Sequence, residues 1–186
     1  MEILAIGSSP RLHGNSNSLL RIALEAAEAN GHHAELLYAS KLKVRPCRAC
    51  GKCKTGNLCA VRDDMDLIYD KLPGADALVL ATPVYYYAAS AWLKAIVDRT
   101  YAVLDGDYLP RISSGKRLFV ITTQEEPDRA DGEAIAKTLA RSFKWVGMEL
   151  AGSLVATEVS GPTDHLERPD LREQARRLLV EGLSRS

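Results

Sequence analysis

Hydrophobic positions along the chain fall into two alternating patterns. Short runs of consecutive apolar residues predict five β-strands, over Ile3–Ile6, Ala34–Tyr38, Ala75–Ala81, Arg117–Thr123 and Glu149–Thr157. Apolar residues at three- and four-residue spacing predict helices over Ser16–Asn30, from Asp63 or Asp64 to Leu72, and over Ala88–Leu104, Asp131–Val146 and Pro169–Leu183. Thr82 and Pro83 are expected to break the third strand, because proline has no backbone N–H to donate.

Strands that are continuous apolar runs and alternate with helices are typical of a parallel sheet covered on both faces. We therefore predict an α/β fold: a flavodoxin-like, doubly wound, five-stranded parallel sheet in the order 2-1-3-4-5, with helices on both faces. Ligands of such sheets bind at the carboxyl ends of the strands, so the loops after strands one, three and four are the expected site. The chain has no evident linker or repeat, and we predict a single domain over residues 1–186.

The composition narrows the classes of function. The chain has 24 basic and 24 acidic residues, so it lacks the basic excess with which proteins neutralise phosphates, and no nucleic-acid partner is expected. No run approaches the ~20 apolar residues that cross a bilayer, so no membrane insertion is expected either. We expect a cytoplasmic protein, in which clustered cysteines favour metal binding or redox chemistry over structural disulfides.

The four cysteines form the densest chemical feature of the chain. They are Cys47, Cys50, Cys53 and Cys59, and they lie in a long irregular stretch, residues 39–62, after the second strand. Successive Cys-x2-Cys spacing favours a [4Fe–4S] cluster with these four thiolates as its ligands. Zinc fits less well, because Cys₄ zinc sites separate two Cys-x2-Cys pairs by a longer stretch. Free thiols without any metal are a third alternative.

The loop after the first strand is rich in groups that bind phosphate. It begins at Gly7 and continues into the predicted first helix, and its donors are Ser9, Arg11, Asn15, Ser16 and Asn17. It is neither a Walker A motif nor a Gly-x-Gly-x-x-Gly fingerprint. The loop predicts a phosphate site at a helix N-terminus; the alternative is an ordinary strand-to-helix turn capped by Ser16.

Four segments resemble one group of families. Gly7–Ser16 resembles the Gly-Ser-Pro-Arg-x-x-Gly-Asn-Ser/Thr loop of NADPH-dependent FMN reductases and of flavodoxin-like iron–sulfur flavoproteins. Asp76–Tyr86 resembles their second flavin loop, Leu93–Arg99 the helix that follows it, and Cys47–Met65 the cysteine loop of the iron–sulfur branch. The resemblance covers Met1–Thr123 well and the last third in general pattern only.

The resemblance implies an FMN site made by three loops. Residues implied to hold the phosphate are Ser9, Arg11, Asn15 and Ser16, with Asn17 as a further candidate. Residues implied to wrap the isoalloxazine ring or the ribityl chain are Pro83, Val84, Tyr85 and Tyr86. Thr123 and Gln124 would approach the polar edge of the ring.

The resemblance also implies a function, a flavin-dependent oxidoreductase in which FMN exchanges two electrons and a [4Fe–4S] cluster passes single electrons. Its expected partners are further copies of the chain, in a homodimer or homotetramer, and a ferredoxin or other redox protein. Alternatives are a cluster-free NAD(P)H-dependent FMN or quinone reductase, a dehydrogenase of a small metabolite, and a non-enzymatic electron shuttle. Asp98 and Arg99 are interpreted as a structural or interface ion pair, and His165 as a surface residue.

Overall fold

A computed structural model describes residues 1–56 and 58–184 of the chain. Its strands are β1 (Glu2–Gly7), β2 (His33–Tyr38), β3 (Ala77–Tyr85), β4 (Ala88–Ala89), β5 (Lys116–Thr123) and β6 (Met148–Ala156). Its helices are α1 (Asn15–Ala29), α2 (Lys52–Thr55), α3 (Met65–Lys71), α4 (Ala91–Arg99), α5 (Ala130–Lys144) and α6 (Pro169–Ser184).

Five of these strands form the predicted parallel sheet. Their order is β2-β1-β3-β5-β6, which is the expected 2-1-3-4-5 arrangement, and β4 adds a sixth, antiparallel strand that pairs only with β3. Successive side chains of a strand point to opposite faces: Leu4 and Ile6 pack under α3, α4 and α5, whereas Ile3 and Ala5 pack under α1 and α6. The doubly wound α/β architecture is thus confirmed.

All the helices of the described chain except the four-residue α2 bury apolar side chains against the sheet. The longest, α6, has 16 residues. No helix within residues 1–56 and 58–184 combines the length and the apolar content required to traverse a bilayer.

The prediction that Thr82 and Pro83 end the third strand is wrong. β3 continues to Tyr85, and Pro83 pairs in register with Thr123 of β5. The N–H of Ser8 donates to the carbonyl of Ala81 at 2.8 Å, so odd-numbered backbone groups of β3 point toward β1. An N–H at position 83 would point toward β1, but β1 has already ended at Gly7. The absence of this group in Pro83 therefore costs no hydrogen bond between strands.

The predicted helix over Ala88–Leu104 is shorter than expected. Ala88 and Ala89 belong to β4, and α4 begins only after Ser90, whose Oγ accepts from the N–H of Leu93 at 3.3 Å. The same hydroxyl donates to the carbonyl of Ser8 at 2.9 Å. Small alanines fit either element, so the apolar spacing could not locate this boundary.

The two-residue turn between β3 and β4 has a strained backbone. Tyr86 and Tyr87 both have positive φ angles, 51° and 65°, as a type I′ hairpin requires. That conformation favours Asn and Gly and costs other residues ~1–2 kcal/mol each. The turn also leaves both rings in solvent, with Tyr86 95% and Tyr87 74% exposed.

We therefore expect the double variant Tyr86→Asn/Tyr87→Gly to raise the thermal midpoint of unfolding, because both new residues adopt positive φ readily. The matched control is Tyr86→Ala/Tyr87→Ala, which removes the same rings but keeps the strained backbone. Equal midpoints for the two double variants would show that the turn stores no strain.

Candidate functional site

A cleft of about 230 Å³ opens at the carboxyl ends of β1, β3 and β5. It contains nine of the eleven predicted cofactor-binding residues: Ser9, Arg11, Asn15, Ser16, Pro83, Val84, Tyr85, Thr123 and Gln124. The strand order explains this convergence, because the loops of the central strands meet at one edge of the sheet. Gly14, Glu125 and residues 159–162 complete the lining.

One end of the cleft is arranged for an anion. α1 starts after Gly14 with no side-chain cap and no acidic residue in its first turn, so its first N–H groups and its positive dipole end are available. The guanidinium of Arg11 is exposed and has no hydrogen bond or ion pair with any described residue. Ser9 is buried at the base of the loop, and its Oγ accepts from the N–H of Arg11 at 3.2 Å.

Asn17 and Tyr86 do not line the cleft. Asn17 is fully buried beneath the loop, where its Nδ2 donates to the carbonyls of Ser9 and Arg11 at 3.3 and 3.1 Å. It shapes the loop from below. Tyr86 is at the exposed hairpin tip. Ser8, the neighbour of Ser9, points away as well, because its Oγ donates to the carbonyl of Ala81 at 2.8 Å.

Two lining residues use their side-chain amides for bonds within the protein. Asn15 bonds to residues of the 157–168 segment. The Oε1 of Gln124 accepts from the N–H of Gly132 at 2.9 Å, and its Nε2 donates to the carbonyls of Glu126 and Asp128. Gln124 therefore fixes the start of α5, and its predicted contact with the polar edge of a ring stays a prediction.

The cysteine loop is fixed to the fold at both ends by one buried arginine. The side chain of Arg99, at the end of α4, is 0% exposed. Its guanidinium donates to the carbonyl of Arg45 at 3.0 Å, to the carbonyl of Val61 at 2.9 Å and to both oxygens of Asp63 at 3.0 and 3.2 Å. The interpretation of Asp98 as its partner is wrong, since Asp98 pairs with Lys94.

Tyr69 joins the same cluster from α3. Burial raises the pKa of its phenol, so the hydroxyl stays protonated, and it donates to the carbonyl of Arg99 at 2.7 Å. For Asp63, burial raises the pKa, but hydrogen bonds from Arg99 and from the N–H groups of Arg45 and Met65 outweigh it and lower the pKa from 3.8 to about 2. The Asp63 carboxylate therefore stays charged at neutral pH.

The bonds of Arg99 to Arg45, Val61 and Asp63 form a clamp that holds both ends of the cysteine loop. The four thiols inside this clamped loop occupy different environments. Cys53 and Cys59 are half-buried against the core, whereas Cys47 and Cys50 are exposed and none forms a disulfide. Among the described residues no three ligating side chains are gathered closely enough to hold a metal ion. The predicted cluster ligation is therefore not confirmed.

A wider groove of about 620 Å³ lies beside Cys47. Its walls include Tyr101, Tyr108 and Trp145. Lys54 stands 3.7 Å from the centre of the Tyr101 ring, which is cation–π geometry. The groove is mostly apolar and lacks the converging polar groups of the smaller cleft.

Comparison with known families decides the classification. The family model described as NADPH-dependent FMN reductase matches residues 1–159. The chain belongs to the NADPH-dependent FMN reductase family. The match includes the loops after β1, β3 and β5, so it covers most of the cleft and the whole cysteine loop.

Individual relatives refine the position of this FMN reductase family member. It is 40% identical over 120 residues to a Methanosarcina thermophila protein named iron–sulfur flavoprotein; the match covers 64% of this chain and 63% of that protein's length. A solved structure, the Trp repressor binding protein from Bacillus subtilis, superposes with a TM-score of 0.70 at 25% identity, over 96% of this chain and 99% of that one.

A more distant structure confirms the fold alone. The FMN-dependent NADH-azoreductase from Bacillus anthracis str. Ames Ancestor, solved in complex with FMN, superposes with a TM-score of 0.69 at 19% identity. That superposition covers 95% of this chain and 99% of the azoreductase.

Sequence reasoning missed three parts of the site. The roles of Arg99 and His165 depend on contacts between distant segments, and the 159–162 wall comes from a loop with no recognised motif. His165 was expected at the surface but is only 5% exposed. Burial and the nearby cations of Arg21 and Arg172 lower the pKa of this histidine, which keeps its ring neutral at neutral pH.

We expect Asp63→Asn to lower the free energy of unfolding by about 3–5 kcal/mol, because it leaves the buried Arg99 without a counter-charge. The control is Asp66→Asn, which removes an exposed pair with Arg62 and should cost about 1 kcal/mol or less. Urea unfolding would measure both, and equal losses would contradict the clamp.

The acid limb of the stability curve provides a second check of the clamp. Asp63 has a lowered pKa in the folded state, so its contribution is complete above about pH 4 and is lost as the pH falls toward about 2. In Asp63→Asn the free energy of unfolding should fall less between about pH 4 and pH 2 than in the wild-type protein. In Asp66→Asn it should fall as it does in the wild-type protein.

Proposed function

We propose that the cleft binds FMN and that the protein is a flavin-dependent oxidoreductase acting in electron transfer. The observation that carries this proposal is the anion-binding end of the cleft: the start of α1 has no side-chain cap, and beside it the guanidinium of Arg11 has no partner among the described residues. Membership of the FMN reductase family and the name of the Methanosarcina thermophila relative support the same cofactor.

The shape of the loop fits a phosphate group. A Cβ on Gly14 would lie 3.2 Å from Ser9 Oγ, 3.1 Å from Arg11 Cβ and 3.2 Å from the Arg11 carbonyl. A side chain there would therefore crowd the space in which backbone N–H groups can approach an anion. At the other end, Pro83, Val84 and the half-exposed Tyr85 supply an apolar wall suited to a planar ring.

We further propose that Cys47, Cys50, Cys53 and Cys59 hold a [4Fe–4S] cluster. Four thiols in one clamped loop are the appropriate donor set, and the N–H of Ala49 already donates to the sulfur of Cys47 at 3.4 Å. When bound, FMN supplies two-electron chemistry and such a cluster supplies one-electron transfer. Arg99 and Asp63 keep the ends of the loop in place while the thiols turn inward.

A second candidate is a cluster-free NAD(P)H-dependent FMN or quinone reductase. The arrangement of the described thiols favours it, because they are not gathered around a common centre. In that case Cys47 and Cys50 would be exposed, oxidisable thiols, and NAD(P)H would donate directly to the flavin.

We also propose partners for the electron-transfer role. Exposed aromatic side chains, Tyr86, Tyr87, Trp92 and Trp145, suit contacts with another protein. A homodimer or homotetramer and a ferredoxin or similar redox protein are the proposed partners. Size-exclusion chromatography with light scattering would determine the oligomeric state.

We expect Arg11→Ala to weaken FMN binding about 10- to 100-fold and riboflavin binding by about twofold or less, because the lost contact is to phosphate. Titration of the flavin-free protein with each flavin measures both constants. The control is Arg141→Ala, an exposed arginine on α5. Equal weakening of FMN and riboflavin would overturn the phosphate assignment.

Anaerobic purification with assay of iron, sulfide, zinc and FMN separates the two candidates. About four irons and four sulfides per chain would support the cluster, and Cys50→Ser should then remove iron while FMN is retained. FMN without iron, after attempted anaerobic reconstitution, would favour the cluster-free reductase. Zinc in place of iron, or the absence of flavin, would overturn the corresponding part of the proposal.

A further inference from the structure

The segment between β6 and α6, residues 157–168, forms a fourth wall of the cleft. Val159, Ser160, Gly161 and Pro162 line it beside the first turn of α1. The three expected loops follow β1, β3 and β5, so this wall was not anticipated. The family match ends at Val159, and the remainder of the wall therefore lies outside the part of the chain that carries the family pattern.

A tether from α1 holds this segment against the anion-binding end of the cleft. The Nδ2 of Asn15 donates to the carbonyl of Gly161 at 2.7 Å. Its Oδ1 accepts from the backbone N–H of His165 at 3.1 Å and lies 2.8 Å from the ring Nδ1 of His165. Because this oxygen can only accept, the neutral ring carries its proton on Nδ1. These bonds orient the amide of Asn15 toward the segment, and the second N–H of its Nδ2 is not used by them.

A second set of bonds shapes the segment from within. The Oδ2 of Asp164 accepts from the N–H groups of Ser160 and Gly161 at 2.9 and 2.7 Å. A Cβ added to Gly161 would approach Asp164 Oδ1 to 2.4 Å, so only glycine fits this turn. The N–H of Val159 donates to the carbonyl of Gln124 at 3.0 Å, which ties the segment to the end of β5.

These bonds leave one unused polar side chain on the wall. Ser160 is exposed, and its hydroxyl has no partner among the described residues, although its backbone N–H is bonded to Asp164. It lines the same cleft as Arg11 and Ser16. A hydroxyl at this position can donate to a phosphate oxygen.

We infer that the 157–168 segment is a fourth ligand-binding loop, in which Ser160 contacts the phosphate of FMN and Asn15 and His165 act as positioning residues. The inference rests on the proposed function, and it adds to the binding site a loop that follows β6. It also gives Asn15 a role that was not predicted, which is to hold this segment against the start of α1.

Titrations of the flavin-free protein with FMN and with riboflavin test the inference. Ser160→Ala should weaken FMN about tenfold and leave riboflavin within about twofold, because one hydrogen bond to phosphate is lost. The matched control is Ser153→Ala, an exposed serine of β6 outside the cleft, which should bind both flavins like the wild-type protein.

Two further variants test the positioning role. His165→Ala removes the bond between the His165 ring and Asn15, and Gly161→Ala disturbs the segment while leaving the side chains of Asn15 and His165 present. Each should weaken FMN about tenfold and speed hydrogen exchange at the Ser160 and Gly161 amides. The control for the first is His33→Ala, an exposed histidine paired with Glu2. If His165→Ala fails to fold, Gly161→Ala and Ser160→Ala still decide the question.

The outcomes separate this inference from the proposed function. Wild-type protein that binds neither flavin would overturn both. Wild-type protein that binds FMN, with Ser160→Ala and Gly161→Ala unchanged, would overturn the fourth loop alone. Equal losses of affinity for FMN and for riboflavin in Ser160→Ala would also overturn it, because riboflavin has no phosphate group.

Discussion

The cleft depends on a mismatch in length between two neighbouring strands. β1 ends at Gly7, opposite Ala81, whereas β3 runs on to Tyr85, paired with β5 as far as Pro83 and with β4 beyond it. The chain leaving β1 must turn at that point, which places the loop before α1 over the freed edge of β3. This geometry gives the phosphate end of the cleft its position and makes Pro83 acceptable within a strand. The topological switch point of the sheet is thus a step between a shorter and a longer strand, and the polar residues of three loops face this step.

The cysteine loop shows how an irregular segment can be held without regular structure. A buried guanidinium is costly unless it is paired and its donors are used. Arg99 pairs with Asp63 and bonds to two backbone carbonyls of the loop through its two terminal nitrogens, which leaves only its Nε without a partner among the described residues. The same bonds that compensate the buried charge therefore fix the ends of the loop. Between those ends Arg111 donates to the carbonyls of Cys53 and Gly56, so the middle of the loop is attached to the fold as well.

The sequence allowed the sheet and most of the cleft to be predicted, because both follow from local signals. Apolar runs revealed the parallel strands, and the residues after them fell at the expected edge. The boundary at Ser90 was missed because alanine suits a strand or a helix equally well. Asn17 and Gln124 lie in the predicted loops, but their side chains bond to the backbone of the protein. The direction of these side chains depends on neighbours in the folded chain, which sequence spacing cannot reveal. Arg99 and His165 act through partners far away in sequence and left no local pattern.

The Arg99 clamp also has a consequence for the order of folding. Its partners are 36, 38 and 54 residues away along the chain, and closing such separations costs chain entropy that local contacts do not incur. The clamp can form only when α4 and both ends of the loop have come together, so the ends of the cysteine loop are fixed by tertiary contacts and not by local structure. A change that weakens the docking of α4 would therefore also release both ends of the cysteine loop, although it lies outside that loop.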